Sequence, residues 1–139
     1  MKYYNNQKYC DCQLIALVNA SVYFNKLKLK PNTKLYNYIA REAGCIYGAC
    51  IDLTKAEKYI NAKYVKGKLN LSWIKNHLPV KLNLFCFRGF HSVLCIKVTK
   101  NKLQLVNYRR NSLISLPWNN VKKMHCKRSW AQPEQIIVK

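Results

Sequence analysis

The hydrophobic pattern of this chain changes period once, near residue 78, and that switch restricts the folds open to it. In the first half Leu14, Ile15, Leu17, Val18, Val22 and Tyr23 recur at helical spacing, with Ala16 and Ala20 as strong formers between them, predicting a helix over 11–24. Asp11 is placed as its N-cap, which sets Cys12 in the first turn. Further helices are predicted over 34–42, ended by Gly44, over 53–60, and over 71–77, ended by Pro79, with Gly48 and Gly67 in the intervening turns. From residue 80 the pattern shortens. Residues 80–87, 91–99, 103–108 and 112–116 are runs of aliphatic and aromatic residues separated by Arg88-Gly89, Lys100-Asn101-Lys102 and Arg109-Arg110-Asn111. They predict an antiparallel meander, followed by a helical turn at 117–123 and a last strand at 135–138. Helices first and strands afterwards predict an α+β fold, with an N-terminal helical half packed on a C-terminal antiparallel sheet. No repeat or linker interrupts it, and 139 residues, half of them hydrophobic, suffice for one domain over 1–139.

Charge removes several kinds of chemistry. The chain carries 25 Lys and Arg against five acids, Asp11, Glu42, Asp52, Glu57 and Glu134, for a net charge of +20. Paired-acid glycosidase sites, carboxylate-rich Mg²⁺ sites and two-metal nuclease sites all need clustered carboxylates, which five scattered acids do not supply. The positive excess fits a polyanionic environment: non-specific nucleic acid, a packaged genome or an acidic protein partner. A solvated basic surface with no specific ligand accounts for the same composition.

The start Met1-Lys2-Tyr3-Tyr4-Asn5-Asn6 has no apolar run behind it, and no segment approaches the roughly 20 apolar residues of a spanning helix. The expectation is a protein of the cytoplasm or of a virus or phage particle, not secreted by a signal peptide and without a membrane partner. Seven cysteines are an odd number without the pairing framework of a small secreted domain, which favours a reduced compartment. Cys86 and Cys95 fall in apolar runs and read as small buried hydrophobes. Cys10-x-Cys12, Cys45-x4-Cys50 and the His125-Cys126 pair have poor spacing for zinc, so neither a metal nor a cofactor is expected.

Two separated segments carry the chemistry. A cysteine attacks a carbonyl as thiolate, so it needs a neighbouring base or cation and gains from a helix N-terminus. Cys12 has the helix, and His91, opening a strand, supplies the base. Asn107 is placed to orient the imidazole, a task an amide oxygen performs as well as a carboxylate. If the turn at Lys100-Asn101-Lys102 has three residues, His91 and Asn107 face one side of the sheet; a two-residue turn separates them unless a bulge intervenes. The N–H of Cys12 and the side chain of Gln7, five residues before it, are placed as oxyanion donors, with Asn6 as the fallback. Cys10 precedes the N-cap and reads as a neighbouring or redox-sensitive thiol. His77 and His125 read as surface or packing residues.

These segments together resemble the C39 and C39-like papain-fold cysteine peptidases. Gln7 followed by Asp11-Cys12-Gln13-Leu14-Ile15-Ala16-Leu17 is similar to that family's nucleophile motif, an upstream Gln before Asp-Cys-Gly and an Ala/Leu-rich helix. Gly48 to Ile60 resembles its Gly-turn and following helix, Leu78-Pro79-Val80 the Leu-Pro-Val before its central strand, and His91-Ser92-Val93 its His-x-Val strand. Val106-Asn107-Tyr108 resembles its Asp-Pro strand end, and residues 115–121 its Leu-Ser segment. Gln13 stands where the family has Gly, Asn107 for Asp and Tyr108 for Pro, and Gln7 lies one residue closer to the cysteine. The resemblance implies a papain-like fold with Cys12, His91, Asn107 and Gln7 as catalytic residues acting on a peptide or protein substrate. A second reading keeps the fold without the activity, as a basic structural or nucleic-acid-associated component. For that role the pairs Arg109-Arg110, Lys122-Lys123 and Lys127-Arg128 near Tyr108, Trp118 and Trp130 would provide phosphate and stacking contacts.

Overall fold

The computed structural model describes residues 2–7, 10–45, 52–86, 89–109 and 113–139, the side chain of Cys86 excepted. Gly48, Cys50, Arg88 and residues 110–112, all named above, lie outside the described residues. Helix α1 (Cys12–Tyr23) is buried along nearly its whole length, from Leu14 to Val22. A helix apolar all round is a central helix. Helix α2 (Lys34–Glu42) opens on Thr33, whose hydroxyl accepts from the Tyr36 N–H at 3.2 Å, and gives way to Gly44 at φ 80°. Helix α3 (Thr54–Ile60) stops on Asn61 in the left-handed region, and β1 (Ala62–Lys66) follows directly. Helix α4 (Leu71–Asn76) is capped by the Asn70 side chain, which accepts from Trp73 N–H at 2.9 Å.

Strands β2 (Val80–Cys86), β3 (Gly89–Thr99), β4 (Lys102–Val106) and β5 (Ile114–Pro117) form the anticipated meander. Helix α5 (Trp118–Met124) and a 3₁₀ turn at Ser129–Ala131 lead to β6 (Glu134–Val138). The sheet runs β1-β6-β2-β3-β4-β5, antiparallel throughout. The last strand is therefore internal, and β1, absent from the sequence reading, is an edge.

The sheet separates two cores, so the anticipated helical half packed on an antiparallel sheet is joined by a second layer on the other face. Leu94, Val106, Ile136 and Val138 pack with the residues of α1, α2 and α3. Their neighbours Val93 and Leu105, with Leu82 and Leu84, pack on the other side with Ile74 of α4 and Val121 of α5. Alternation along one strand feeds both layers. Among the described residues no helix is long and apolar enough to cross a membrane.

Candidate active site

Cys12 is the first residue of α1, and that helix packs on β3, the strand that carries His91. Asp11 occupies the N-cap position, as anticipated, but its side chain makes no cap hydrogen bond. The carboxylate turns inward. Its Oδ2 accepts the Tyr36 hydroxyl at 2.5 Å and the Gln7 N–H at 3.0 Å, and the residue is fully buried.

Cys12 and His91 act directly on one another, each shifting the other's hold on its proton. Burial pushes the Cys12 thiol up, but the His91 hydrogen bond, the Ser92 backbone, the imidazole charge and the Ser92 side chain together bring it below its ordinary value. His91 moves the other way. Burial lowers it, while the bond to Cys12, the Asn107 carbonyl and the charges of Cys12 and Asp11 raise it above an ordinary imidazole. A lowered thiol beside a raised imidazole favours a thiolate–imidazolium pair, and the N-terminus of α1 favours the negative member. Cys12 is partly exposed.

The far nitrogen of His91, Nε2, meets the backbone carbonyl of Asn107. A carbonyl only accepts, so Nε2 carries the proton and Nδ1 is the nitrogen left to exchange one with Cys12. The Asn107 side chain is engaged elsewhere: its Nδ2 donates to Asn6 Oδ1 at 2.7 Å and its Oδ1 accepts the Asn6 N–H at 2.9 Å. Two features of the hairpin bring these residues together. The turn is the two-residue Lys100-Asn101, pairing Thr99 with Lys102, and an extra residue on β3 at Ile96 shifts the register so that Leu94 faces Val106. The bulge restores the relationship that a two-residue turn alone would break.

Gln7 lies beside the site but its side chain is occupied, with Nε2 donating to the Asn5 carbonyl at 2.8 Å. A cavity of about 270 Å³ opens next to His91, lined by Asn5, Asn6, Asn107, Tyr108 and Arg109.

Ser92 is a residue that sequence reasoning missed. Its hydroxyl donates to Asn83 Oδ1 at 2.9 Å, while Asn83 Nδ2 donates to the Ala131 carbonyl at 3.0 Å and Asn83 N–H donates to His125 Nε2 at 3.2 Å. Asn83 is, with Lys81, one of two polar residues in the strand Val80 to Leu84, and that was the available signal. His125 is buried and anchors this network, with its Nδ1 on the Cys126 carbonyl. His77 stacks on Trp73 at 4.2 Å. Cys12, Cys95 and Cys126 are free thiols, whereas Cys45 is disulfide-bonded. Among the described residues no three His, Cys, Asp or Glu side chains gather as metal ligands.

No family model matches the chain, and no curated protein sequence matches it. Solved structures do. The crystal structure of the peptidase domain of Streptococcus ComA, a bifunctional ABC transporter involved in a quorum-sensing pathway, superposes with a TM-score of 0.73 at 10% identity, over 99% of this chain and 100% of that one. A double-glycine-motif protease from an AMS/PCAT transporter, solved in complex with the leader peptide, superposes with a TM-score of 0.68 at 12% identity, over 99% and 91%. The fold is that of the C39-type peptidase domains. At these identities the likeness is one of fold.

Proposed function

We propose that the protein is a cysteine peptidase that cleaves a peptide or isopeptide bond. The observation that carries this reading is the placing of Cys12 at the start of α1, packed on the strand whose His91 is held through Nε2 by the Asn107 carbonyl, with the Cys12 thiol lowered in spite of its burial. In this mechanism the Cys12 thiolate attacks the carbonyl carbon, and the electron pair of the C=O moves onto oxygen. The Cys12 N–H and the Gln7 amide, once it exchanges the Asn5 carbonyl for the substrate, stabilise that oxyanion. His91 gives its Nδ1 proton to the leaving amine as the C–N bond breaks, leaving an acyl-thioester. It then takes a proton from water, whose oxygen attacks the thioester and regenerates the thiolate. Asn107 holds the imidazole through its carbonyl. The proposed substrate is a peptide or protein; the leader peptide belongs to the transporter protease, and this chain's own scissile bond is open to peptide-library screening.

The test is selective labelling together with loss of hydrolysis. A thiol-directed probe at neutral pH labels Cys12 ahead of Cys10 and Cys126, and Cys12→Ala and His91→Ala each abolish hydrolysis while unfolding as cooperatively as the parent. Full activity in Cys12→Ala would overturn the proposal.

A further inference from the structure

Apart from the Cys12 thiolate itself, the partners of His91 named so far bring it no negative charge. A backbone carbonyl fixes the ring and its tautomer, but it brings no net charge to hold the imidazolium, and the Asn107 amide is spent on Asn6. The buried carboxylate next to the nucleophile is Asp11. It is 0% exposed, and its Oδ1 has no hydrogen-bond partner among the described residues. Both donors, Tyr36 O–H and Gln7 N–H, converge on Oδ2.

A buried carboxylate that uses half of its accepting capacity is costly to keep. Two hydrogen bonds would be made as well by Asn. What Asn would not supply is charge, and the charge has a taker in His91. The phenol of Tyr36 stays a donor, since burial and then the Asp11 charge raise it far above the ordinary range. A permanent O–H donor keeps the carboxylate in place while leaving Oδ1 bare.

We propose that Asp11 is a positioning residue for the Cys12–His91 pair: its buried carboxylate adds a fixed negative charge to that of the thiolate and so helps to keep His91 protonated, in place of the Asn107 side chain. This rests on the peptidase reading of Cys12 and His91. The other groups facing the imidazole are Cys12 itself, from the start of α1, and Tyr108 and Arg109, which follow β4 and line the same cavity. Arg109 is exposed, lies over the Tyr108 ring at 5.3 Å, and acts in the opposite direction, so the charges that hold the imidazolium are the Cys12 thiolate first and the fixed Asp11 carboxylate after it.

The experiment is alkylation of Cys12 by iodoacetate across pH, in the whole protein, followed by mass spectrometry. Iodoacetate is an anion that reacts fastest with a thiolate beside an imidazolium, so the alkaline fall in rate reads the loss of the His91 proton without any substrate. In Asp11→Asn that fall moves to lower pH by about half a unit or more. In Tyr36→Phe, which strips a screening donor from the carboxylate, it moves to higher pH. An Asp11→Asn profile superimposed on the wild type overturns the proposal, whatever happens to the absolute rate, because a merely structural role changes amplitude and not position. If Asp11→Asn does not fold, Tyr36→Phe decides, and an unmoved fall there overturns it. A wild-type Cys12 that reacts only above the ordinary thiol range, about 8.5, would instead overturn the Cys12–His91 reading and this inference with it.

Discussion

The side-chain amide of Asn107 is paired in both directions with Asn6, while its backbone carbonyl meets His91 Nε2. One residue thus ties the N-terminal segment and the imidazole to the same point at the end of β4. Asn107 reaches this geometry at φ 65°, a left-handed conformation that Asn tolerates better than most residues because its short polar side chain bonds locally. The same segment is held once more where Asn19, buried on α1, clamps the N–H and C=O of Tyr4 at 2.8 and 2.9 Å. Residues 4–6 are therefore fixed from both the helix and the sheet.

Asn107→Gly separates the two jobs. Glycine keeps the positive φ and the carbonyl on His91 but deletes both bonds to Asn6. With each bond worth about 1 kcal/mol, we expect the N-terminal segment to lose hydrogen-exchange protection and hydrolysis to fall by no more than about tenfold. A loss of a thousandfold or more would mean that the amide itself serves His91 during catalysis.

The Cys12–His91 pair sets a pH window for stability as well as for chemistry. His91 has a raised value when folded, so its contribution is present below the ordinary imidazole value, about 6.5, and is lost as pH rises through the higher folded value. Cys12 has a lowered value, so its contribution is present above the ordinary thiol value, about 8.5, and is lost as pH falls through the lower folded one. Taken as a pair, the folded and unfolded states bind equal numbers of protons between those ordinary values. The stability difference between wild type and Cys12→Ala should form a plateau there, falling on the alkaline side through His91 and on the acid side through Cys12. Urea unfolding at a series of pH values measures it, and a difference that does not vary with pH would contradict the ion pair. Cys95 supplies the contrast: burial pushes its thiol up to about 12, so it should resist labelling until the protein unfolds.

Ser92→Ala tests the support beneath the nucleophile. The backbone of Ser92 still faces Cys12, but the side-chain contribution goes and the half-buried Asn83 Oδ1 loses its donor. We expect a few-fold slower alkylation of Cys12 in mildly acidic solution and a stability loss of about 1–3 kcal/mol. Unchanged alkylation alongside the stability loss would leave Ser92 a purely structural partner of Asn83.

Most helices were legible because their signals are local. Thr33 before α2 and Gly44 after it bracket Lys34–Glu42 as anticipated, and the run from Leu14 to Val22 identifies the buried helix. The meander was legible from its turn residues. What local pattern does not carry is pairing between distant segments. Strand β1 is half exposed, with Lys63 and Lys66 on a sheet edge, and reads like a loop after α3. The place of β6 between β1 and β2 depends on partners more than 50 residues away in sequence. At the site, Cys12 and His91 were visible as residue types in context. The Ile96 bulge was not, since the hydrophobic run continues through it, and neither was the Asn6–Asn107 pairing across 101 residues.

The remaining prediction concerns a contact away from the site. Gly67 follows β1, and a Cβ placed there would come within 2.1 Å of the Trp73 ring. Trp73 is held from two sides: its N–H by the Asn70 cap, its ring by stacking on His77. A rigid indole fixed in this way cannot yield as the end of a lysine would, so Gly67→Ala must displace α4 from the sheet face it covers through Ile74. Overpacking of this kind costs about 1–3 kcal/mol, a fall in Tm of roughly 4 °C for each kcal/mol. Because α4 packs on the face of the sheet opposite α1, Cys12 should alkylate at the wild-type rate below the lowered Tm. Calorimetry and the alkylation rate check the two halves separately, and an unchanged Tm would show that the indole has room to move.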